Sequence, residues 1–476
     1  MDSQPLPSFS RVQPDPWPGL RPDWHYHFLG VGGVGMSAVA EMLHRRGVKV
    51  SGSDSQDGPL LRRLASLGIP VRVGHADSAL EGAQAVVYTP AVAPAHPIWS
   101  AVASRGLPRF HRAQVLGTLT QGKRLLAVSG THGKTTSSAL LGYVLAQAGW
   151  DPTVLVGGMV PQFGGPNTRA GGSPWWVVEA DESDGSFVHL APEAMLITNV
   201  EADHLDQLVS LDGVQAAFAA FAARLRPGPE GQPGLLVACG DDPGAARLKP
   251  PCGVALHYGL GPGCPVQVRV LSMQPGAMEL SLRLEGREQR LVTRLMGQHN
   301  ALNVAGVLAV AARLGVPLPA ALQGAGSFAG VERRQQYLGH IGELAVFDDY
   351  AHHPTEIRET LRMFRAAYPG PLSVVFQPHL YSRTACFADE FARALAAADQ
   401  VWVTEVYAAR EAPMPGVSGR MLVERMAGHA AAHFAPRWQD LPATLLARCA
   451  RPGLLLTLGA GDIQGLGPLV LREAAL

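Results

Sequence analysis

The segment Gly130-Thr131-His132-Gly133-Lys134-Thr135-Thr136 follows an apolar run, Arg124–Ser129, and precedes an apolar helical pattern. A glycine-rich turn at a helix N-terminus presents backbone N–H groups to phosphate, and small residues permit close approach. Lys134 adds a charge for the outer phosphates, and the Thr135 hydroxyl is a magnesium ligand by type. The strict nucleotide loop has a glycine five positions before Gly133, where this chain has Val128. The loop is thus a shortened variant, and a helix merely capped by Thr131 is the competing reading. Lysine usage weighs against that competitor. Lys134 is one of only four lysines among 39 basic residues, the others being Lys49, Lys123 and Lys249.

A second glycine turn carries Gly30, Gly32, Gly33 and Gly35 between a strand and a helix, with Asp54 ending the next strand. This pattern suits a diphosphate, with the acid placed for a ribose hydroxyl, though a packing turn would look similar. His75 and Arg72 follow without an independent signal. Two acidic clusters, Glu179–Asp184 and Glu201–Asp206, each end an apolar strand. Carboxylates on the edge that holds a triphosphate serve magnesium, and His204 adds a softer donor. Gly297-Gln298-His299-Asn300 opens a helix that Asn300 could cap. Phe347–Glu356 runs from two acids, Asp348 and Asp349, through His352 and His353 into a helix. Adjacent histidines cannot both face one ion without distortion. Gln377–Thr384 ends the next strand with His379 and Arg383, and Arg383 can grip a carboxylate or phosphate.

The elements that must position these residues alternate. Strands are expected at His25–Val31, Val48–Ser53, Val71–Val73 and Ala85–Tyr88, with helices at Met36–Arg46 and Leu60–Leu67. A second series has strands at Arg124–Ser129, Trp175–Glu179, Ala194–Val200 and Leu235–Cys239, and helices at Thr135–Ala148 and Ala301–Leu314. Between them Val266–Met273, Glu279–Leu284 and Gln289–Met296 alternate apolar and polar residues, the pattern of half-exposed antiparallel strands. A third series has strands at Leu344–Phe347, Leu372–Phe376, Val401–Thr404 and Leu454–Leu458. Its helices are Thr355–Ala367, Phe387–Ala397 and Leu441–Cys449. Short apolar strands alternating with helices predict parallel sheets covered on both faces. The expected division is a flexible Pro-rich tail over 1–23 and α/β domains over 24–119, 120–325 and 326–476.

Bulk properties narrow the function. A length of 476 residues exceeds one ordinary core. The 39 acidic residues balance the basic ones, which argues against a nucleic-acid partner. No run reaches the ~18 apolar residues of a membrane span, and no export signal is visible. Five scattered cysteines predict neither a disulfide framework nor a CxxC metal site, and a reducing cytoplasm fits them.

Taken together, HFLGVGGVGMS, VSGTHGKTT, VEADESD, TNVEADHLD, GQHNALN, FDDYAHHPTE, FQPHLYSRT and LGAGDI resemble the Mur ligases of peptidoglycan synthesis, from Tyr26 to the C-terminus. The resemblance implies a Rossmann-like domain for the UDP part of an acceptor. It implies a central P-loop-type ATPase domain with an added antiparallel region, and a C-terminal Rossmann-like domain for an amino acid. It also implies a cytoplasmic, ATP- and Mg²⁺-dependent ligase, a monomer or weak homodimer, of the cell-wall, cell-shape and cell-division machinery. In the alanine-adding branch, the lactyl carboxylate of UDP-N-acetylmuramate takes the γ-phosphoryl of ATP, and L-alanine then displaces phosphate.

Matched residue by residue, Lys134 would stabilise the transferring phosphoryl. Thr135 and Glu179 would hold magnesium, and His204 a second ion. Gly130, Thr131, His132, Gly133 and Thr136 would cradle the phosphates. His299, Asn300, Asn303, Arg334 and Asp349 would approach adenosine. Gly30, Gly32, Gly33, Gly35, Asp54 and His75 would meet the UDP group, and His352, His379 and Arg383 the acceptor and amino acid. Two departures stand out. Leu380 replaces an arginine of some relatives. No lysine between Lys134 and Lys249 is available for the carbamylated metal ligand of other branches, which agrees with the alanine-adding one. A murein-tripeptide ligase of the same family is the nearest rival, disfavoured by Ser183 where it has tyrosine. A nicotinamide oxidoreductase built on Gly30 would leave the Gly130 loop unexplained, and a nucleotide-gated binding protein would not turn over.

Overall fold

The computed structural model describes residues 14–183, 185–201, 211–274, 276–409, 411–426, 428–429 and 431–475. Three sheets carry the chain. The first contains β1 (His25–Leu29), β2 (Lys49–Asp54), β3 (Val71–Val73), β4 (Ala85–Tyr88) and β5 (Arg109–His111), all parallel, in the order β3-β2-β1-β4-β5. The connections leave β1 in one direction for β2 and β3, and β4 lies on its other side. That topological switch opens a crevice beyond the end of β1, where the Gly30 loop begins.

The second sheet contains β6 (Arg124–Ser129), β7 (Thr153–Leu155), β8 (Thr168–Arg169), β9 (Trp175–Glu179), β10 (Ala194–Ile197), β11 (Leu235–Cys239), β12 (Val254–Gly259), β13 (Val266–Gln274), β14 (Ala277–Leu284) and β15 (Arg287–Thr293). Its order is β15-β14-β13-β12-β11-β10-β6-β9-β7-β8. β6 is central, flanked in parallel by β9 and β10, so the loops leaving all three strands share one edge. The three half-exposed segments form the consecutive strands β13, β14 and β15 at one side, and the first of them, expected to be antiparallel, pairs in parallel with β12.

The third sheet contains β16 (Gln336–Ile341), β17 (Leu344–Asp349), β18 (Leu372–Phe376), β19 (Gln400–Val403), β20 (Ala432–Phe434) and β21 (Gly453–Leu458), ordered β16-β17-β21-β18-β19-β20. Only β16 is antiparallel to its neighbour. Both faces are buried. Leu372, Val374, Phe376, Leu454 and Leu456 enter one apolar cluster, while Val375, Leu455, Leu344 and Val346 enter the other. This explains why its strands read as continuous apolar runs.

Two compact units emerge, one of residues 1–269, 281–291 and 302–328, the other of 270–280, 292–301 and 329–476. Inside the first unit, the helix Val34–Arg45 is tied to the second sheet. Asn167 Nδ2 donates to Val34 O (2.7 Å), and Thr168 Oγ1 donates to Glu41 Oε2 (3.0 Å). Part of the tail expected to be flexible is docked. Arg109 N donates to Asp15 Oδ2 (2.7 Å), and Trp17 Nε1 donates to Thr118 Oγ1 (2.6 Å) with its ring edge-on to Phe110. An indole buries apolar area and still finds a polar partner, which composition alone does not reveal. Among the described residues no helix is long and apolar enough to cross a membrane.

Candidate functional site

The loop after β6 is tightened at two glycines. A Cβ on Gly130 would stand 2.0 Å from Thr198 Oγ1, so only glycine permits that approach. Gly133 caps the helix Lys134–Gln147 at φ 81°, in the left-handed region. Val128, which breaks the strict motif, is a buried β6 residue paired with Glu179 of β9. The turn therefore starts two residues later than in the longer loop. Residues after β10 brace it. His132 N donates to Asn199 Oδ1 (2.7 Å), Thr131 N to Asn199 O (3.0 Å), and Glu201 N to Thr131 Oγ1 (2.8 Å). Thr135 and Thr136 are buried in the first turn of the helix.

Charge is concentrated beneath this loop. Lys134 Nζ donates to Gly130 O (2.6 Å), Thr131 O (3.0 Å) and Glu182 Oε1 (2.8 Å). Burial works against its positive charge, but Glu182, Asp181 and Glu179 outweigh that and raise its pKa, so the ammonium persists. Burial pushes the Glu182 carboxyl up to about 7, with Lys134 opposing. Glu179 is likewise raised by burial against the pull of Lys134. Thr135 Oγ1 donates to Glu179 Oε1 (2.9 Å), and Gly157 N donates to Glu179 Oε2.

The hydroxyl and carboxylate of Thr135 and Glu179 are hard oxygen donors converging beside a phosphate loop, a set that suits Mg²⁺. Among the described residues no group of three His, Cys, Asp or Glu side chains forms a metal site by itself. A metal here would need oxygens from its substrate, the usual habit of Mg²⁺. His204 lies outside the described residues. Asn303 is brought to the loop, since a Cβ on Gly133 would meet its Oδ1 at 2.7 Å.

The Gly30 loop is built differently. Gly32 N donates to Asp54 Oδ2 (2.8 Å), so one carboxylate oxygen of Asp54 already holds the loop. Gly33 caps the helix Val34–Arg45 through its backbone alone. Beside Gly35 stands Arg112, whose Nη2 donates to Asp181 Oδ2 (3.0 Å). This link between the neighbourhood of the Gly30 loop and the acidic loop after β9 was invisible in the sequence, because its partners lie 69 positions apart. His75 lies on the same edge, next to Gly74, whose N–H donates to Asp54 O (2.6 Å).

The second unit gathers the remaining candidates at the exits of β17, β18 and β21. Asp349 Oδ2 accepts from Gln335 N (2.8 Å) and Oδ1 from Ala351 N (2.7 Å). Burial raises its carboxyl to about 6, with Arg334 opposing. Gln335 also reaches His299 Nε2 (2.9 Å) and Asn300 Nδ2 (3.3 Å). The helix starts at Gln298, so Asn300 is not its cap but a first-turn residue whose Nδ2 donates to Met296 O (2.9 Å). Arg334 stacks over Tyr350 at 5.1 Å and lies 3.6 Å from Glu356 Oε1.

The adjacent histidines divide their work. His353 Nδ1 accepts from Thr355 N and, with Glu356, makes a capping box for the helix Pro354–Ala367. His352 Nδ1 sits 2.9 Å from Tyr350 O and 3.3 Å from Glu356 Oε2, two acceptors that assign its proton to Nδ1. Its ring is edge-on to His379 at 5.9 Å, and His379 stacks on Tyr407. Arg383 is buried in the helix Tyr381–Cys386. Leu380, buried at φ 69°, opens that helix without offering a polar group.

Three α/β sheets, a braced phosphate loop and a lysine ringed by carboxylates define a nucleotide-dependent ligase-type enzyme. The chain belongs to the Mur ligase family. Its residues 25–124 match the family's catalytic domain, 128–311 the middle domain and 333–461 the glutamate ligase domain. It is 44% identical, over 94% of its length and 96% of the relative's, to the UDP-N-acetylmuramate–L-alanine ligase of Kineococcus radiotolerans. The enzyme of that name from Mycolicibacterium gilvum is 41% identical over 94% and 96%. The solved UDP-N-acetylmuramate–alanine ligase of Thermotoga maritima superposes with a TM-score of 0.82 at 29% identity, covering 95% of this chain and 99% of that one. A murein peptide ligase from Psychrobacter arcticus shares the fold at 0.69 and 22% identity, covering 95% and 98%.

Proposed function

We propose that this chain joins L-alanine to the lactyl carboxylate of UDP-N-acetylmuramate at the expense of ATP, making a peptidoglycan precursor in the cytoplasm. The observation that carries the reading is the hydrogen-bonded set of Lys134, Glu182, Thr135 and Glu179 under the phosphate loop. Relatives of that name match along nearly the whole chain. The reading assigns residues 24–119 to the UDP group, 120–325 to ATP and 326–476 to the amino acid. It requires no partner beyond the substrates and is compatible with a monomer or weak homodimer.

An acceptor carboxylate oxygen bonds to the γ-phosphorus as the bond to ADP breaks. The amine nitrogen then bonds to the acyl carbon, phosphate leaves, and the amine loses a proton. Lys134 meets the charge on the transferring group, and loop N–H groups from Gly130 to Thr136 hold the neighbouring oxygens. Glu182 keeps Lys134 charged and aimed. Thr135 and Glu179 would hold Mg²⁺, which would supply charge neutralisation for the transferring phosphoryl group. His204, outside the described residues, is assigned to a second ion. His299, Asn300, Asn303, Arg334 and Asp349 serve the adenosine half. His352 is assigned to the acceptor and the amino acid, where an imidazole can serve proton chemistry at the amine. His379 and Arg383 hold carboxylates of the acceptor and amino acid.

The test is phosphate release from ATP with UDP-N-acetylmuramate and L-alanine. Release with alanine and none with the L-alanyl-γ-D-glutamyl-diaminopimelate tripeptide is expected. The reverse pattern would assign the chain to the tripeptide branch.

A further inference from the structure

One face of the first sheet is polar where a covered parallel sheet should be apolar. His25 and His27 alternate along β1, and Ser51 and Ser53 along β2, with His27 opposite Ser51 in the register. All four are buried, with His27 at 1% and Ser53 at 0% exposure. They form an unbroken row of hydrogen bonds. His25 Nδ1 is 3.0 Å from Gly82 O, and His25 Nε2 is 2.7 Å from Ser51 Oγ. Ser51 Oγ is 2.9 Å from His27 Nδ1, and His27 Nε2 is 3.0 Å from Ser53 Oγ. Ser53 Oγ is 2.8 Å from His75 Nδ1.

The direction of this row is fixed by its first member. A carbonyl only accepts, so His25 carries its proton on Nδ1 and leaves Nε2 as an acceptor. Ser51 must then donate its single hydroxyl proton to His25 and accept from His27 Nδ1–H. That leaves His27 Nε2 to accept from the Ser53 hydroxyl, and Ser53 to accept from His75 Nδ1–H. Neutral rings are required throughout. Burial, aided by the neighbouring His25, His75 and Arg72, lowers His27 to about 3. Burial also lowers His25 and His75, the latter with help from His96 and against Asp54.

We infer that Gly82, acting through His25, Ser51, His27 and Ser53, fixes the tautomer of His75, so that a lone pair on its Nε2 selects a nucleobase carrying a ring N–H. His75 is half-buried on the edge that bears the Gly30 loop and Asp54, and its Nδ1 is already committed to Ser53. Uracil offers an N3–H donor to such a lone pair, whereas cytosine offers another lone pair. The inference rests on the UDP-linked acceptor proposed above. It adds four positioning residues that touch no substrate and choose the base through one ring.

Two measurements on the full chain test it. Nitrogen-15 spectra of labelled histidine should show His75 as the Nδ1–H form in the wild type and a mixture with Nε2–H in Ser53→Ala. UDP should bind the wild type about tenfold more tightly than CDP, the worth of one neutral hydrogen bond. That preference should fall below about threefold in Ser53→Ala, with ATP affinity unchanged, and persist in Ser53→Thr, which keeps the hydroxyl. Ser51→Ala, which cuts the row further from the base, should weaken the preference in the same direction and serves if Ser53→Ala does not fold. An Nε2–H His75 in the wild type, or an undiminished preference in both alanine variants, overturns the inference. Equal wild-type binding of UDP and CDP overturns it too. Turnover with UDP-N-acetylmuramate and alanine in the same preparation would show that the ligase reading survives. Absence of turnover and of uridine-nucleotide binding would mean both had failed.

Discussion

The Gly30 and Gly130 loops are the same device used twice. Each leaves the end of a central parallel strand and opens a helix whose first N–H groups face the sheet edge. What lies beneath them differs. Under the Gly30 loop a single acid, Asp54, holds the backbone, and no lysine follows. Under the Gly130 loop the part-buried Lys134 ammonium meets the buried Glu182 carboxylate, and the part-buried Glu179 carboxylate meets Thr135, all within hydrogen-bond reach. Backbone geometry alone suffices to bind a phosphate that keeps its charge. A phosphoryl group in transfer needs charge held in place beforehand, and burying that charge is costly unless it is paired. The pairing of Lys134 with Glu182 meets that requirement.

The largest effect should come from removing the charge that distinguishes the loops. Lys134→Ala is expected to lower kcat by about a thousandfold or more, read as phosphate release at saturating substrates. Glu179→Gln comes next, with a loss of about a hundredfold and a raised Mg²⁺ requirement in a metal titration. Gly32→Ala addresses the other loop. Its methyl would meet Asp54 Oδ2 at 3.0 Å. It should raise KM for UDP-N-acetylmuramate by about tenfold and leave kcat within about threefold.

Glu182→Gln comes last, with a loss of kcat of about tenfold as Lys134 keeps a hydrogen-bond partner but loses its counter-charge, and it also reads on stability. The folded state raises this carboxyl from its usual 4.5 to about 7. Folding therefore favours the protonated form, a contribution complete below pH 4.5 and lost as pH rises through about 7. Glutamine mimics that form at every pH. The wild-type Tm should match the variant near pH 4.5 and fall below it by a few degrees by pH 7. A constant difference across that range would show that Lys134 fully offsets the burial.

Much of this was legible in the residues. Long apolar strands and the helices between them carry their period openly, so the strands flanking both loops were placed to within about two residues. β5, β7, β8, β12, β16 and β20 were not foreseen. β5, β8, β16 and β20 are edge strands, β7 is only three residues long and β12 is half-exposed, so each has too little apolar pattern to stand out from loops. The site showed the same divide. Lys134, Thr135 and Glu179 announce themselves by type and position. Asn199, which braces the loop, and Arg112, which reaches Asp181 on the acidic loop after β9, act across distances in sequence that only folding closes. His352 and His353 were equivalent as letters. The capping box made by His353 separates them, because it depends on where the helix begins.

The most direct test of the division between the two loops measures turnover and acceptor affinity together on Lys134→Ala and Gly32→Ala. A crossed pattern is predicted. Lys134→Ala should lose phosphate release while binding UDP-N-acetylmuramate within about threefold of the wild type, and Gly32→Ala should weaken that binding while sparing the catalytic step. Loss of the same parameter in both variants, or normal turnover in Lys134→Ala, would contradict the account.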